Sequence, residues 1–367
     1  MPANFKKIVF LTLLFLSFAF RASSPSLESF IIFDYPPVEP YKRLMLAIGM
    51  VETMNDTLSY NPIEEAAGYF QIRPIRIEDY NRRTGSNYTT EDMFNYEISE
   101  KIFENLKNRI KKEKLKPGLA VILVGKDKAS EIYVNLKKKA AKKIGIRFYI
   151  FRFEAKEKET KITKKILALN KNKKINGIII QLPLPKKFDA QKIINSLNPE
   201  KDADGFNPQN IKEFIKYQAK TWPVFPHAIA RLIRSSGTKT KNKKAIILAN
   251  SVKFGEVMRV ALDNKGMKAS FILAKNLKNN LPKIKTADII VTALGKPGLI
   301  KGNMIKKGVI IIDGGITKIN KKVLGDADFE SVRDRVSCIT PVPGGVGPVT
   351  IACLLENVYL AAKKQSE

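Results

Sequence analysis

The chain has 367 residues, enough for two or three domains that each bury a core, and its 44% apolar content excludes a disordered or fibrous protein. Lys and Arg number 65 against 35 Asp and Glu, a formal charge of +30. The lysines are scattered (KKEKLK, KKKAAKK, KTKNKK) and no nucleic-acid-binding signature accompanies them, so a solvated basic surface is favoured over nucleic-acid binding. The single histidine, His227, rules out a multi-histidine metal site, and Cys338 and Cys353 lack disulfide-framework or zinc spacing. No metal is expected.

Residues 1–23, MPANFKKIVFLTLLFLSFAFRAS, place two lysines before an apolar run and then small residues. That is the layout of a secretory signal peptide, and it implies export or membrane association. Residues 24–42 read as a linker. Residues 43–95 form a small, mainly helical unit in which Glu52 follows an apolar helix and GYFQI comes later. AIGMVETM and GYFQI together resemble part of a lysozyme-like lytic transglycosylase. The resemblance implies Glu52 as a glycan-cleaving acid and peptidoglycan as a partner. The plainer reading of Glu52 is an exposed residue at a helix end.

From about residue 96 the character changes to lysine-rich helices alternating with short apolar strands. Strands are expected at LAVILVG (119–125), RFYIFRF (147–153), GIIIQLP (177–183), KAIILAN (244–250), KASFIL (268–273), ADIIVTAL (287–294), GVIIIDGGI (308–316) and VSCITPV (336–342). Continuous apolar runs suit strands buried on both faces, and their alternation with helices marks an α/β fold with mainly parallel sheets. A composition break at KYQAKTWPVFP (216–226) divides the series into two lobes with a cleft between them. The first spans 96–218 and is completed by a helix at 348–365; the second spans 219–347.

In the first lobe Tyr133 and Lys137 are four apart on an expected helix and share one face. A phenol beside an amine can position and transfer protons. Gln181 ends a buried strand, at the edge where open α/β sheets bind ligands. KDADGFNP sets Asp202 and Asp204 before a glycine turn, where a carboxylate either accepts from a heterocycle's NH groups or caps the turn. ITPVPGGVGPVT (339–350) packs three prolines and three glycines just ahead of an apolar helix. A plain connection needs fewer, so the density points to a close backbone contact or a ligand.

YVNLKKKAAKKIGI, GIIIQLPLPKKFDAQKIINSLNPEKDADGFNPQNI and ITPVPGGVGPVTIACLLEN resemble the signature segments of the bifunctional methylenetetrahydrofolate dehydrogenase/cyclohydrolase family. The likeness runs from about Ile98 to about Lys364. It implies a folate-binding α/β lobe, a Rossmann-like NAD(P)-binding lobe and a last helix returning to the first lobe. It also implies NADP-dependent oxidation of 5,10-methylenetetrahydrofolate followed by hydrolysis to 10-formyltetrahydrofolate, with NAD as the alternative cofactor. Lys137 matches the family's general acid/base lysine, Tyr133 the tyrosine stacked on substrate, Gln181 the glutamine assisting the lysine and Asp204 the carboxylate gripping the pterin. Leu182, Pro343, Gly344 and Gly345 fall on further substrate contacts. Asn250, Ser251, Gly255 and Ile316 fall on cofactor contacts. Family members are typically homodimers, and the folate substrate implies a cytoplasmic location.

The second lobe departs from the family pattern. The nucleotide loop G-R-S-x-x-V-G-x-P stands here as ANSVKFGEV (249–257), so Ala249 replaces the first glycine and Asn250 the arginine that would meet a 2′-phosphate. Lys253 or Lys275 could compensate. P-C-T-P stands as PVFP, with Phe225 at the threonine position, and the usual Cys-His-Ser stretch has no match around FILAKNLKNN. These departures leave two other readings open: a cyclohydrolase or noncatalytic folate binder with a degraded cofactor site, and a secreted peptidoglycan-acting protein.

Overall fold

The computed structural model describes residues 96–366 apart from Lys220, Asn320 and Lys321, together with a short antiparallel pair, Tyr60–Asn61 and Ala66–Ala67. The chain divides into two units at Phe94/Asn95, and the second holds both parallel sheets. The leader, the linker and Glu52 lie outside the described residues, as does nearly all of 43–95.

The first lobe alternates α1 (Tyr96–Lys112), β1 (Gly118–Val124), α2 (Lys128–Ile144), β2 (Arg147–Phe153), α3 (Glu159–Lys171), β3 (Gly177–Ile180) and α4 (Ala190–Asn195). Its three strands pair in parallel in the order β2-β1-β3. The central strand β1, GLAVILV, is buried along its whole length, as a strand covered on both faces must be. Helix α2 is framed by its own sequence. Asp127 caps its start, accepting from Ser130 N at 2.7 Å, and Gly145 (φ 87°) ends it in the left-handed conformation that glycine adopts without penalty.

After α5 (Pro208–Ile215), α6 (Val224–Ser235) opens the second lobe. It continues with β4 (Lys244–Ala249), α7 (Val252–Asp263), β5 (Lys268–Leu273), α8 (Leu281–Lys285), β6 (Ile289–Thr292), β7 (Val309–Asp313), the hairpin β8 (Thr317–Ile319) and β9 (Lys322–Leu324), α9 (Phe329–Val332) and β10 (Val336–Ile339). The parallel order is β10-β7-β6-β4-β5. The chain therefore winds outward from β4 in one direction to β5 and in the other through β6 and β7. In such sheets the crevice at that reversal, beyond the carboxyl ends of β4 and β6, is where a ligand binds. Each expected strand forms. Several stop short because their last residues are loop: the third ends at Ile180, where Gln181 and the following prolines take over.

The last helix, α10 (Val346–Ser366), returns to the first lobe. Tyr359 is fully buried, donates to Glu113 just beyond α1, and lies under the Arg109 guanidinium 4.5 Å from its ring centroid. Asn357 donates to Ala203 O at 2.9 Å and Trp222 O at 3.0 Å, so one amide of α10 pins the two segments flanking Asp204.

His227 marks the joint between α6 and α10. Arg231 grips Glu356 with two bonds of 3.0 and 2.8 Å and donates its Nε to His227 Nε2 at 3.1 Å. The proton of the neutral ring therefore sits on Nδ1, which is buried, without a hydrogen-bond partner, 4.0 Å from Glu356. Burial, then the charges of Arg231 and Lys265, push the imidazole down to about 4. Below pH 6.5 the unfolded chain's His227 takes up a proton that the folded chain's refuses, so the contribution of this residue to stability falls as pH drops from about 6.5 to about 4. Because this is the only histidine, His227→Gln is expected to remove that contribution, on the order of 2 kcal/mol. Denaturation of both proteins across that pH range checks it, and parallel curves would contradict it.

Candidate active site

On the first lobe the site is built at the carboxyl edge of the sheet. Tyr133 and Lys137 stand one turn apart on α2, both half-buried. Lys137 Nζ donates to Gln181 Oε1 at 2.9 Å, and Gln181 Nε2 donates to Leu182 O at 2.8 Å. The amide is thereby oriented with its oxygen on the amine. Gln181 N stays anchored to Ile122 O at 2.9 Å, so the residue leaves the sheet without losing its register. Burial raises the Tyr133 phenol above its ordinary value.

The two aspartates of KDADGFNP have separate tasks. Asp202 is buried and caps the turn, accepting from Asn207 N (2.7 Å), Gly205 N (3.1 Å) and Asn210 Nδ2 (3.0 Å). Burial raises its carboxyl to about 6 against those bonds. Asp204 makes no side-chain hydrogen bond among the described residues. Burial pushes its carboxyl up, and the Lys137 charge pulls it back down. Turn capping thus accounts for Asp202, while Asp204 faces the Lys137 charge.

The Pro- and Gly-rich loop closes over this group. A side chain added at Gly347 would first meet the Tyr133 hydroxyl, at 4.0 Å. Gly344 has φ 99°, and Pro343 and Gly344 are half-buried. The peptide bonds Leu182–Pro183 and Val342–Pro343 are both cis. Gly345 is packed tightly within the loop. It is buried, its N–H reaches Pro341 O at 3.0 Å, and a Cβ there would lie 2.6 Å from that same oxygen. The loop's approach to itself requires glycine there.

On the second lobe the turn from β4 into α7 carries Asn250 and Ser251 at the crevice. Ser251 caps α7, accepting from Phe254 N at 3.2 Å, so the helix start is formed although the first glycine is missing. Asn250 Nδ2 donates to Leu294 O at 3.0 Å, stitching the loop after β4 to the loop after β6. Gly255 is buried under Phe271, whose ring a Cβ would meet at 2.5 Å, so glycine there lets α7 pack on β5. Ile316 is half-exposed, before the β8–β9 hairpin.

Two aspartates that sequence reasoning passed over shape this crevice. Asp326 is buried and accepts from Thr292 Oγ1 (2.7 Å), Leu294 N (2.6 Å) and Lys296 N (2.6 Å), which fixes the loop after β6. Asp313, at the end of β7, accepts from Gly315 N (2.9 Å), Asp326 N (3.1 Å) and Ala327 N (2.8 Å), and burial raises its carboxyl to about 6. An acidic residue closing an apolar strand before Gly-Gly, and Gly-Asp thirteen residues on, were the available signals.

The two lobes meet at this place. Val224 N, opening α6, donates to Asp204 O at 3.1 Å, and Lys253 of α7 donates to Gln191 of α4 at 3.0 Å. Tyr133, Lys137, Asp204 and the crevice at the ends of β4 and β6 therefore share one neighbourhood. Among the described residues no group of His, Cys, Asp and Glu could hold a metal ion.

Two family models match this chain. The tetrahydrofolate dehydrogenase/cyclohydrolase catalytic domain covers residues 95–204, and the NAD(P)-binding domain of the same family covers 223–366. The chain is similar to the bifunctional protein FolD of Acetivibrio thermocellus, 41% identical over 276 residues that span 74% of this chain and 96% of the relative. It is also similar to the solved bifunctional 5,10-methylenetetrahydrofolate dehydrogenase/cyclohydrolase of Thermoplasma acidophilum, with TM-score 0.70, 35% identity, and coverage of 74% and 97%. The Trypanosoma brucei enzyme, solved with NADP cofactor and an inhibitor, gives TM-score 0.69 and 31% identity over 74% of this chain and 95% of that one. With two models of one family matching 95–204 and 223–366 and a relative 41% identical over 74% of its length, this chain belongs to the tetrahydrofolate dehydrogenase/cyclohydrolase family.

Proposed function

We propose that the chain oxidises 5,10-methylenetetrahydrofolate with NADP and hydrolyses the methenyl product to 10-formyltetrahydrofolate. The observation that carries this reading is the Lys137–Gln181 bond beside the Asp204 carboxyl, which makes no side-chain hydrogen bond among the described residues. Asp204 accepts hydrogen bonds from the pterin's NH groups, and Tyr133 offers a flat face to the ring. Leu182, Pro343 and Gly344 line the substrate side.

In the hydrolytic step water adds to the methenyl carbon, the bond from that carbon to N5 breaks as the formyl C=O forms, and the two protons of the water leave the oxygen, one for N5 and one for solvent. Lys137 is the group placed to carry protons between those atoms, and Gln181 holds its amine in place. Bound NADP supplies the hydride acceptor for the oxidative step. The residues fit it: the α7 start presents free N–H groups to a pyrophosphate, and Ser251 and Asn250 shape the turn. Purified protein given methenyltetrahydrofolate and no dinucleotide should form 10-formyltetrahydrofolate faster than buffer does. No acceleration would sink the hydrolytic half.

NADP over NAD is assigned to Lys275. Leu273, at the end of β5, pairs with Ala249 at the end of β4, so Lys275 stands beside the nucleotide turn. That is where dinucleotide folds that use NAD place a carboxylate for the ribose, and here the positions are Leu273, Ala274, Lys275 and Asn276. Asn250 is engaged with Leu294 O and Lys253 with Gln191, which leaves Lys275 for the 2′-phosphate. Lys275→Glu is expected to weaken NADP binding by about 30-fold through loss of a charge-assisted bond, with NAD affinity little changed. Calorimetry of both nucleotides reads the ratio, and an unchanged ratio would exclude this lysine.

The proposal includes a homodimer and a cytoplasmic site of action. The apolar Ile316, Ile319 and Leu324 exposed around the β8–β9 hairpin support the first, and the reduced folate and NADP required as substrates support the second. No helix among the described residues is long and apolar enough to cross a membrane. The glycan-cleaving reading of Glu52 rests on sequence alone.

A further inference from the structure

Phe225 stands where the family pattern has a threonine, and its position joins the two halves of the site. Its neighbour Val224 is bonded through N to Asp204 O at 3.1 Å, so the phenylalanine starts from the folate side. Its ring reaches into the second lobe. A Cβ at Gly314, the residue just after β7, would lie 2.7 Å from Phe225 Cζ and 3.2 Å from Thr292 O. Gly314 N donates to Thr292 O at 2.7 Å, so the ring tip lies against the tied ends of β6 and β7. Its other neighbour is Phe254 in the first turn of α7, with ring centroids 5.7 Å apart and planes tilted by 55°. One half-buried ring thus touches the first turn of α7 and the ends of β6 and β7, and the residue before it is hydrogen-bonded to the backbone of Asp204.

A phenyl ring there donates and accepts no hydrogen bond, so it recognises neither phosphate nor ribose. It can hold a flat ring by its face and keep water away from the atoms that exchange a hydride. In that exchange a C–H bond of the folate methylene breaks, a C–H bond forms on the nicotinamide, and no proton moves. Placement and dryness are therefore what the protein can contribute to that step.

We infer that Phe225, backed by Phe254, is the wall that sets the nicotinamide ring of the cofactor against the folate methylene, a positioning residue for oxidation that hydrolysis does not need. The inference rests on the proposed dehydrogenase activity.

The test compares Phe225→Thr, Phe225→Leu and Phe225→Tyr with wild type in three assays: NADPH dissociation constant without folate, oxidation with protiated and dideuterated methylene substrate, and methenyl hydrolysis. Phe225→Thr is expected to raise the NADPH dissociation constant about fivefold by losing ring contact. It should also lower oxidation by about 30-fold, with a larger deuterium isotope effect as the ring loses its placement. Hydrolysis should fall by less than about twofold, Phe225→Leu should be intermediate, and Phe225→Tyr should recover most of the oxidation. Equal losses of oxidation and hydrolysis would make the ring ordinary packing and overturn the inference. So would an unchanged NADPH dissociation constant in Phe225→Thr, a result that can be read even if wild type binds NADPH and transfers no hydride. In that last case the dehydrogenase reading fails separately.

Discussion

Lys137→Ala is expected to lower methenyl hydrolysis by about a thousandfold, the range that general acid–base groups supply, while oxidation falls by roughly tenfold or less. The asymmetry follows from the chemistry. Hydrolysis must take a proton from water and deliver one to N5, whereas hydride transfer moves no proton. No neighbour can take over. Gln181 does not titrate, and burial has raised the Tyr133 phenol so that it is a poorer proton donor near neutrality. Burial raises the Asp204 carboxyl and the Lys137 charge opposes that rise, so removing the charge should raise it further and weaken its proposed grip on the pterin. Part of the loss should therefore appear in KM for both reactions. Lys137→Arg separates charge from proton transfer: it keeps the charge beside Asp204 and should restore KM without restoring hydrolysis. Hydrolysis unchanged in Lys137→Ala would remove this lysine from the mechanism.

Asp326→Ala is expected to be the most destabilising single change in the second lobe, at about 4 kcal/mol, with loss of dinucleotide binding in whatever protein remains folded. The carboxylate satisfies Thr292 Oγ1, Leu294 N and Lys296 N, all at 2.6–2.7 Å, and truncation would strand these donors in a buried place. The surroundings are built tightly to it. A Cβ at Gly315 would come within 2.3 Å of Asp326 Cγ, and one at Gly325 within 2.3 Å of Asp313 Oδ2. The loop after β6 is one wall of the crevice and is stitched by Asn250 to the other, so loosening it should reach the nucleotide turn. Chemical denaturation with and without NADP reads both effects. A loss below about 1 kcal/mol would show that water or a shifted backbone replaces the carboxylate.

Most of the architecture could be read from apolar runs, since strands buried on both faces declare themselves by continuous hydrophobicity. The strand ends could not, because Gln181 and the residues after Thr292 stay apolar or aligned for a step after the ladder stops. The folate-side pair was legible because an i, i+4 spacing survives into the structure unchanged. Asp202 and Asp204 could not be told apart by sequence. Both precede the same glycine, and only the turn's donors show which carboxylate is consumed. Asp313 and Asp326 were missed for the same reason: a carboxylate that accepts backbone N–H groups from distant segments leaves no local pattern. Gly345 carries a signal with two sources, since close approach of a loop to itself and close approach to a ligand both demand glycine.

The central claim is that one site on this chain performs both reactions. Purified protein supplied with 5,10-methylenetetrahydrofolate and NADP should form reduced nicotinamide and 10-formyltetrahydrofolate in equal amounts, and Lys137→Ala should accumulate the methenyl compound instead. Hydrolysis of added methenyltetrahydrofolate with no NADP reduction, at any NADP or NAD concentration, would contradict the account and leave the second lobe without its cofactor.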